Sequence, residues 1–220
     1  MIRDYFHRWE QELAAVSKSE RTVRPFEWGH DWIEKDIDAE IAARLPDPGS
    51  RVARWVEHVM KDSDAFFTPE PTRYTFTAAP DTVRASGEEG VLTFASGFTT
   101  PHEKNNTVVA RYFPAKPMRG FNKRGAKRAV VVLAQWNSDA EGHIGLCKLL
   151  SKLGVASLRI SLPYHDARMP PELTRADYIV SANVGRTAQI CRQAVLDARR
   201  ASSTAWRHTC NVRTTLALTM

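Results

Sequence analysis

The chain has 220 residues, with 31 Lys+Arg against 25 Asp+Glu, a net charge of +6 and 43% hydrophobic residues. That is an ordinary globular composition, long enough for one sizeable domain with a core. The longest wholly aliphatic run, 129–134, is far too short to span a bilayer, and the first residues lack a signal peptide's apolar stretch, so a cytoplasmic protein without a membrane span is expected.

Residues 1–68 are expected to form a helical section. Phe6, Trp9, Leu13 and Val16 recur at helical steps, as do Ile33, Ile37, Ile41 and Leu45, and then Val52, Trp55, Val56, Val59 and Met60. Trp9, Trp28, Trp32 and Trp55 are expected to pack against a following sheet. From Pro69 the pattern changes to short strands at 73–77, 91–94 and 107–113. Residues 111–128 hold Arg111, Lys116, Arg119, Lys123, Arg124, Lys127 and Arg128 with no acid. A solvated basic connection is the expectation there, not a specific nucleic-acid surface, although Tyr112, Phe113 and Phe121 are interleaved.

Ala129 to Leu133 is a continuous apolar run, the pattern of a strand buried on both faces. The loop Gln135–Trp136–Asn137 follows. Ser138 and Glu141 have the spacing of a capping box, predicting a helix that ends at Gly154. Val155 to Leu162 is a second strand, closed by Pro163–Tyr164–His165–Asp166. Thr174 and Asp177 have capping-box spacing before a long helix carrying Val180, Val184, Ala188, Cys191, Val195 and Ala198. Strand, helix, strand, helix implies a right-handed parallel crossover.

In parallel sheets, ligands bind beyond the carboxyl ends of the strands. The loops 135–138 and 163–173 occupy that position. The first leads into a helix start, where unpaired N–H groups can stabilise an anion. No GxGxxG and no P-loop is present, so no nucleotide cofactor is expected. Asp139, Glu141, His143, His165 and Asp166 lack metal-site spacing, and Cys147, Cys191 and Cys210 form neither a disulfide framework nor a zinc motif.

The stretch VVVLAQWNSDAEGHIGLCKLLSKLGVASLRISLPYHDARMPPELTRADYIVSANVGRTAQICRQAVLDARR, residues 130–200, resembles the α/β-hydrolase superfamily near its esterase and dienelactone-hydrolase-like branches. It is similar to that fold's third strand, oxyanion loop, first sheet helix, fourth strand and second sheet helix. The resemblance implies an α/β fold with leading antiparallel strands followed by two parallel strands. It also implies acyl-ester hydrolysis by a serine nucleophile on a small ester. The backbone amides near Gln135, Trp136 and Asn137 become oxyanion-hole candidates, where many members have His-Gly.

The resemblance stops near Arg200. The family needs a fifth strand, pairing with its third, and a G-x-S-x-G elbow. No G-x-S-x-G occurs in the sequence, and Ser161 lacks flanking glycines. No catalytic residue is therefore assigned. The expected organisation is a helical section over 1–68, a partial hydrolase domain over 69–200 and a disordered, non-family tail over 201–220. The expected cause is truncation by a shifted reading frame, leaving an inactive chain. The alternative is a non-catalytic binding or scaffold protein on the same fold. Without its neighbour, the strand at 130–133 is expected to present an open edge that self-associates.

Overall fold

A computed structural model describes residues 2–19, 24–36, 44–45, 47–116, 127–209 and 212–218. Six strands form one mixed sheet: β1 (Tyr74–Ala78), β2 (Gly90–Ala95), β3 (Thr107–Phe113), β4 (Lys127–Leu133), β5 (Val155–Ile160) and β6 (Val212–Leu218). Their order is β1-β2-β3-β5-β4-β6. The β1–β2, β2–β3 and β3–β5 pairs are antiparallel, whereas β4 runs parallel to both β5 and β6. The fold is of the α/β class.

Seven α-helices accompany the sheet among the described residues: α1 (Ile2–Ser19), α2 (His30–Ile33), α3 (Pro48–Met60), α4 (Ser63–Phe66), α5 (Asp81–Arg84), α6 (Ile144–Lys152) and α7 (Val184–Thr209). No described helix is long and apolar enough to cross a membrane.

Strand alternation builds a layer on each face of the sheet. Val131 and Leu133 point to the α7 side and pack with Leu92, Phe94, Leu158, Ile160, Ala198 and Ala201. Val130 and Val132 point the other way, with Phe113, Ile144 and Cys147 of the α6 layer. Each fully buried aliphatic side chain contributes about 1.5–3 kcal/mol of transfer free energy. This two-sided burial explains why residues 129–133 are apolar without a break.

Several sequence expectations are corrected. The tail over 201–220 is not wholly outside the fold: α7 runs on to Thr209, and Val212–Leu218 forms β6, with Val131 opposite Leu216. Its β-branched residues Val212, Thr214 and Thr215 suit a strand, and β4 offers an unpaired ladder of backbone groups beside it. The parallel part therefore has three strands rather than two, and β4 has no open edge.

Both helix starts lie later than the capping-box spacings predict. α6 begins at Ile144, because Asp139 Oδ1 accepts the Glu141 and Gly142 N–H groups and holds a turn instead. α7 begins at Val184, capped by Asn183 Oδ1 on the Arg186 N–H. Residues 174–183 are loop.

The front section does not stack its aromatic stripe on the sheet. Tyr5, Phe6 and Trp9 are exposed on α1, Trp28 is partly exposed, and Trp55 is buried. What docks is α2 against α7. Gln189 donates to the Trp32 carbonyl and to Asp36 Oδ2, and Arg192 donates to the Phe66 carbonyl while stacking on its ring. Ile37 and Ile41 lie outside the described residues. Segment 27–29 also caps α7 from a distance, for Glu27 O accepts the Val184 N–H and Trp28 O accepts the Gly185 N–H. Position 185 must be glycine for this approach, since a Cβ would lie 2.0 Å from the Gly29 carbonyl oxygen.

Candidate functional site

The carboxyl ends of β4 and β5 open into a shallow pocket of about 460 Å³. Asn137, Ser138, Asp139 and Ala140 line it from the loop after β4. His165, Asp166, Met169, Thr174 and Arg175 line it from the loop after β5. Of the three oxyanion candidates, Asn137 lines this pocket, whereas Gln135 and Trp136 are not among its lining residues.

The Asn137 N–H is already used. It donates to His165 Nε2 at 3.0 Å, and Asn137 Oδ1 accepts the Ala176 N–H at 3.0 Å. The residue sits at φ +57, in the left-handed region that asparagine tolerates better than most residues. Gln135 contributes its carbonyl to the Ser138 N–H, closing the turn. The Trp136 indole N–H donates to the Ala176 carbonyl at 3.3 Å, with the Arg175 guanidinium over its ring. No hydrogen bond of the described residues uses the Trp136 amide. The Gln135 amide likewise takes part in no hydrogen bond among the described residues.

Beneath these loops lies a set of buried arginines that sequence analysis did not single out. Arg159, near the end of β5, is 1% exposed. It pairs with Asp166 and donates to the carbonyls of Asp139 and Gly142, so one guanidinium ties both loops to the strand. Ser161 completes the knot by donating to Asp166 Oδ2 at 3.1 Å, a commitment that removes it further from a nucleophile's role. An arginine inside the otherwise uncharged VASLRI strand was the available signal, because a buried guanidinium requires partners.

Arg168 is fully buried and pairs with Asp197 of α7 at 2.8 Å. It also donates to the carbonyls of Asn105 and Ser161, while Asp197 accepts from Ser96 Oγ and the Gly97 N–H. Burial lowers the Arg168 pKa, and Asp197 counters that fall. The signal was that Asp197 is the sole acid over 186–220.

His165 is 1% exposed, with Nδ1 2.8 Å from the Pro163 carbonyl and Nε2 facing the Asn137 amide. Burial holds its pKa below the ordinary imidazole range. Tyr164, at φ +61, hydrogen-bonds His102 at 2.9 Å and stacks edge-on with Tyr178. Burial pushes its phenol up to about 12. The non-glycine positive φ values fall at Asn137, His143, Tyr164 and Asp166, all in these two loops. Such strain concentrates where surrounding structure fixes a functional conformation.

The five residues weighed for a metal do not converge. Asp166 is committed to Arg159, Glu141 to Arg111, Asp139 to its own turn, and His165 to two backbone groups. His143 stands at the N-cap position of α6 at φ +69 without a side-chain capping bond, and its buried Nδ1 has no partner among the described residues. No group of three or more His, Cys, Asp or Glu is gathered for a metal ion among those residues.

The basic segment is partly neutralised. Arg111 forms a two-point pair with Glu88, reaches Glu141 and donates to the Ala140 carbonyl. Burial opposes its charge, but these carboxylates outweigh that and raise its pKa. Arg119, Phe121, Lys123 and Arg124 lie outside the described residues.

No family model and no curated protein matches the chain. Among solved structures it is similar to an acetyl xylan esterase from Paenibacillus sp. R4, with TM-score 0.48, 14% identity, and coverage of 71% of this chain and 49% of that one. It is also similar to acetyl xylan esterase 1 from Thermoanaerobacterium sp. JW/SL YS485, with TM-score 0.46, 12% identity, and coverage of 70% and 49%. The chain spans about half the length of each of these structures.

Proposed function

We propose that the chain carries the oxyanion-loop half of an α/β-hydrolase-type ester hydrolase, and that by itself it binds a small acyl ester without turning it over. One observation carries this reading. The order β2-β3-β5-β4-β6 puts β6 beside β4, where the hydrolase family's fifth strand pairs with its third. The pocket then lies at the carboxyl ends of β4 and β5, with Asn137 and Ser138 of the 135–138 loop at its rim.

The chemistry follows from the parts present and the part missing. An ester carbonyl placed over the loop would accept a hydrogen bond from the Trp136 amide, which stabilises charge developing on oxygen. Turnover also needs an activated hydroxyl. The sequence holds no G-x-S-x-G, and among the described residues Ser161 and Ser96 hydrogen-bond carboxylates and neither hydrogen-bonds an imidazole. A non-catalytic binding protein on the same fold is the second reading, favoured by the extent to which buried ion pairs immobilise both loops.

A fluorophosphonate probe tests the inactive state: no serine of the purified chain is expected to label, and labelling at a single serine ends this reading. A titration with a short-chain acyl ester, followed by amide NMR shifts, tests the binding. Shifts confined to 135–140 and 163–176 are expected, and their absence at millimolar ester favours the second reading.

A further inference from the structure

We propose that His165 is a positioning residue, a proton-sensitive latch that keeps the Asn137 amide turned into the protein and releases it to the pocket when the imidazole is protonated. This concerns regulation of the site above and rests on the reading of 135–138 as an oxyanion loop.

The hydrogen bonds fix the resting state. The Pro163 carbonyl can only accept, so Nδ1 must carry a proton. The Asn137 N–H can only donate, so Nε2 must be bare. Only the neutral Nδ1–H tautomer satisfies both neighbours. With the ring 1% exposed, water offers no alternative partner. A proton on Nε2 would set one N–H against another, and the bond to Asn137 would have to break.

The surroundings decide where the change goes. Asp166 and Arg168 flank His165 on its own turn, Arg159 approaches from β5, Asp139 from the loop after β4, and Arg175 from the following loop. Asp166 favours the charged ring while Arg159 and Arg168 oppose it, and each of these charges is already paired, Asp166 with Arg159 and Arg168 with Asp197. Asn137 is held at a second point, through Oδ1 on the Ala176 N–H. Once its own N–H is released, this tether keeps the residue at the pocket wall, where the amide can face an anion.

The test uses the intact 220-residue chain, labelled with nitrogen-15, and acetate as the probe. At neutral pH the His165 ring is expected to show the Nδ1–H tautomer and the Asn137 amide slow exchange. Through the His165 titration, Asn137 protection is expected to fall about tenfold, in step with the ring. An Nε2–H tautomer, or an Asn137 amide indifferent to the titration, overturns the proposal.

His165→Gln offers a side-chain oxygen to the same amide but does not titrate, so the pH dependence should vanish while protection stays. Loss of protection at all pH values in that folded variant overturns the latch, as does unchanged pH dependence. Acetate separates this proposal from the reading beneath it. Acetate shifts at Asn137 that appear only below the titration support both. A coupled titration with acetate silent at every pH sustains the latch and overturns the oxyanion reading.

Discussion

The carboxyl end of the sheet and the helical front section are held by opposite means. The loops after β4 and β5 rest on guanidiniums that are almost wholly buried and paired, Arg159 and Arg168. In the front section, α1 carries Tyr5, Phe6 and Trp9 on the outside, although Ile33 and Trp55 are buried. The section's attachment to the remainder runs through α2, α4 and segment 27–29, largely by hydrogen bonds to α7. Buried charge makes a loop costly to rearrange, because each ion removed strands its partner. An exposed stripe makes a helix nearly indifferent to substitution. The difference indicates that fixed geometry is concentrated at the pocket.

The sharpest way to break that contrast is at Arg168. Arg168→Met leaves Asp197 buried without its cation and should cost about 3–5 kcal/mol in denaturant unfolding. The double change with Asp197→Leu should recover much of that loss. A cost below about 1 kcal/mol for the single variant would make the two regions alike.

Alkaline unfolding comes second. Tyr164 keeps its proton up to about 12 in the fold but releases it near 10 when unfolded. The folded state therefore binds more protons between those values, and stability falls as pH rises through that window. The slope is at most about 1.4 kcal/mol per pH unit. Tyr164→Phe should flatten the curve there, and an unaltered curve would refute the assignment.

The third test lies at the junction of the two regions. Asn183 caps α7 and also donates to Glu27 Oε2 at 2.7 Å. Asn183→Ala should cost about 1–2 kcal/mol by loss of the cap. Hydrogen exchange should rise at Val184 to Arg186 together with 27–29, because the same contacts serve both. The smallest effect is expected from Trp9→Ser on α1, within about 0.5 kcal/mol. A larger loss would show that the front stripe is packed after all.

How much was visible beforehand follows from how far each feature depends on distant residues. The strands were legible because burial leaves its mark locally: Thr107–Phe113 matched to the residue, and the 129–133 run lies inside β4. Helix starts were not. Ser138 and Glu141 have the spacing of a cap, but Asp139 takes the N–H groups first. The start of α7 depends on carbonyls of Glu27 and Trp28, which no local pattern could announce. The same holds for the site. That a loop follows the carboxyl end of β4 was foreseeable from the strand–helix–strand pattern, whereas the commitment of the Asn137 amide to His165 joins residues 28 apart. β6 was missed because its threonines suit a strand or a coil equally until β4 is beside it.

The bridge between Glu27 and Asn183 also constrains the order of events during synthesis. The two partners are 156 residues apart. At roughly 5–20 residues per second, α2 emerges on the order of ten seconds or more before α7 exists to receive it. Throughout that interval the front helices have no dock, and Trp55 and Ile33 lack part of their final cover. The nascent chain thus passes through a stage in which its first-made segment waits for one of its last, and a helper that shields apolar surface would act there.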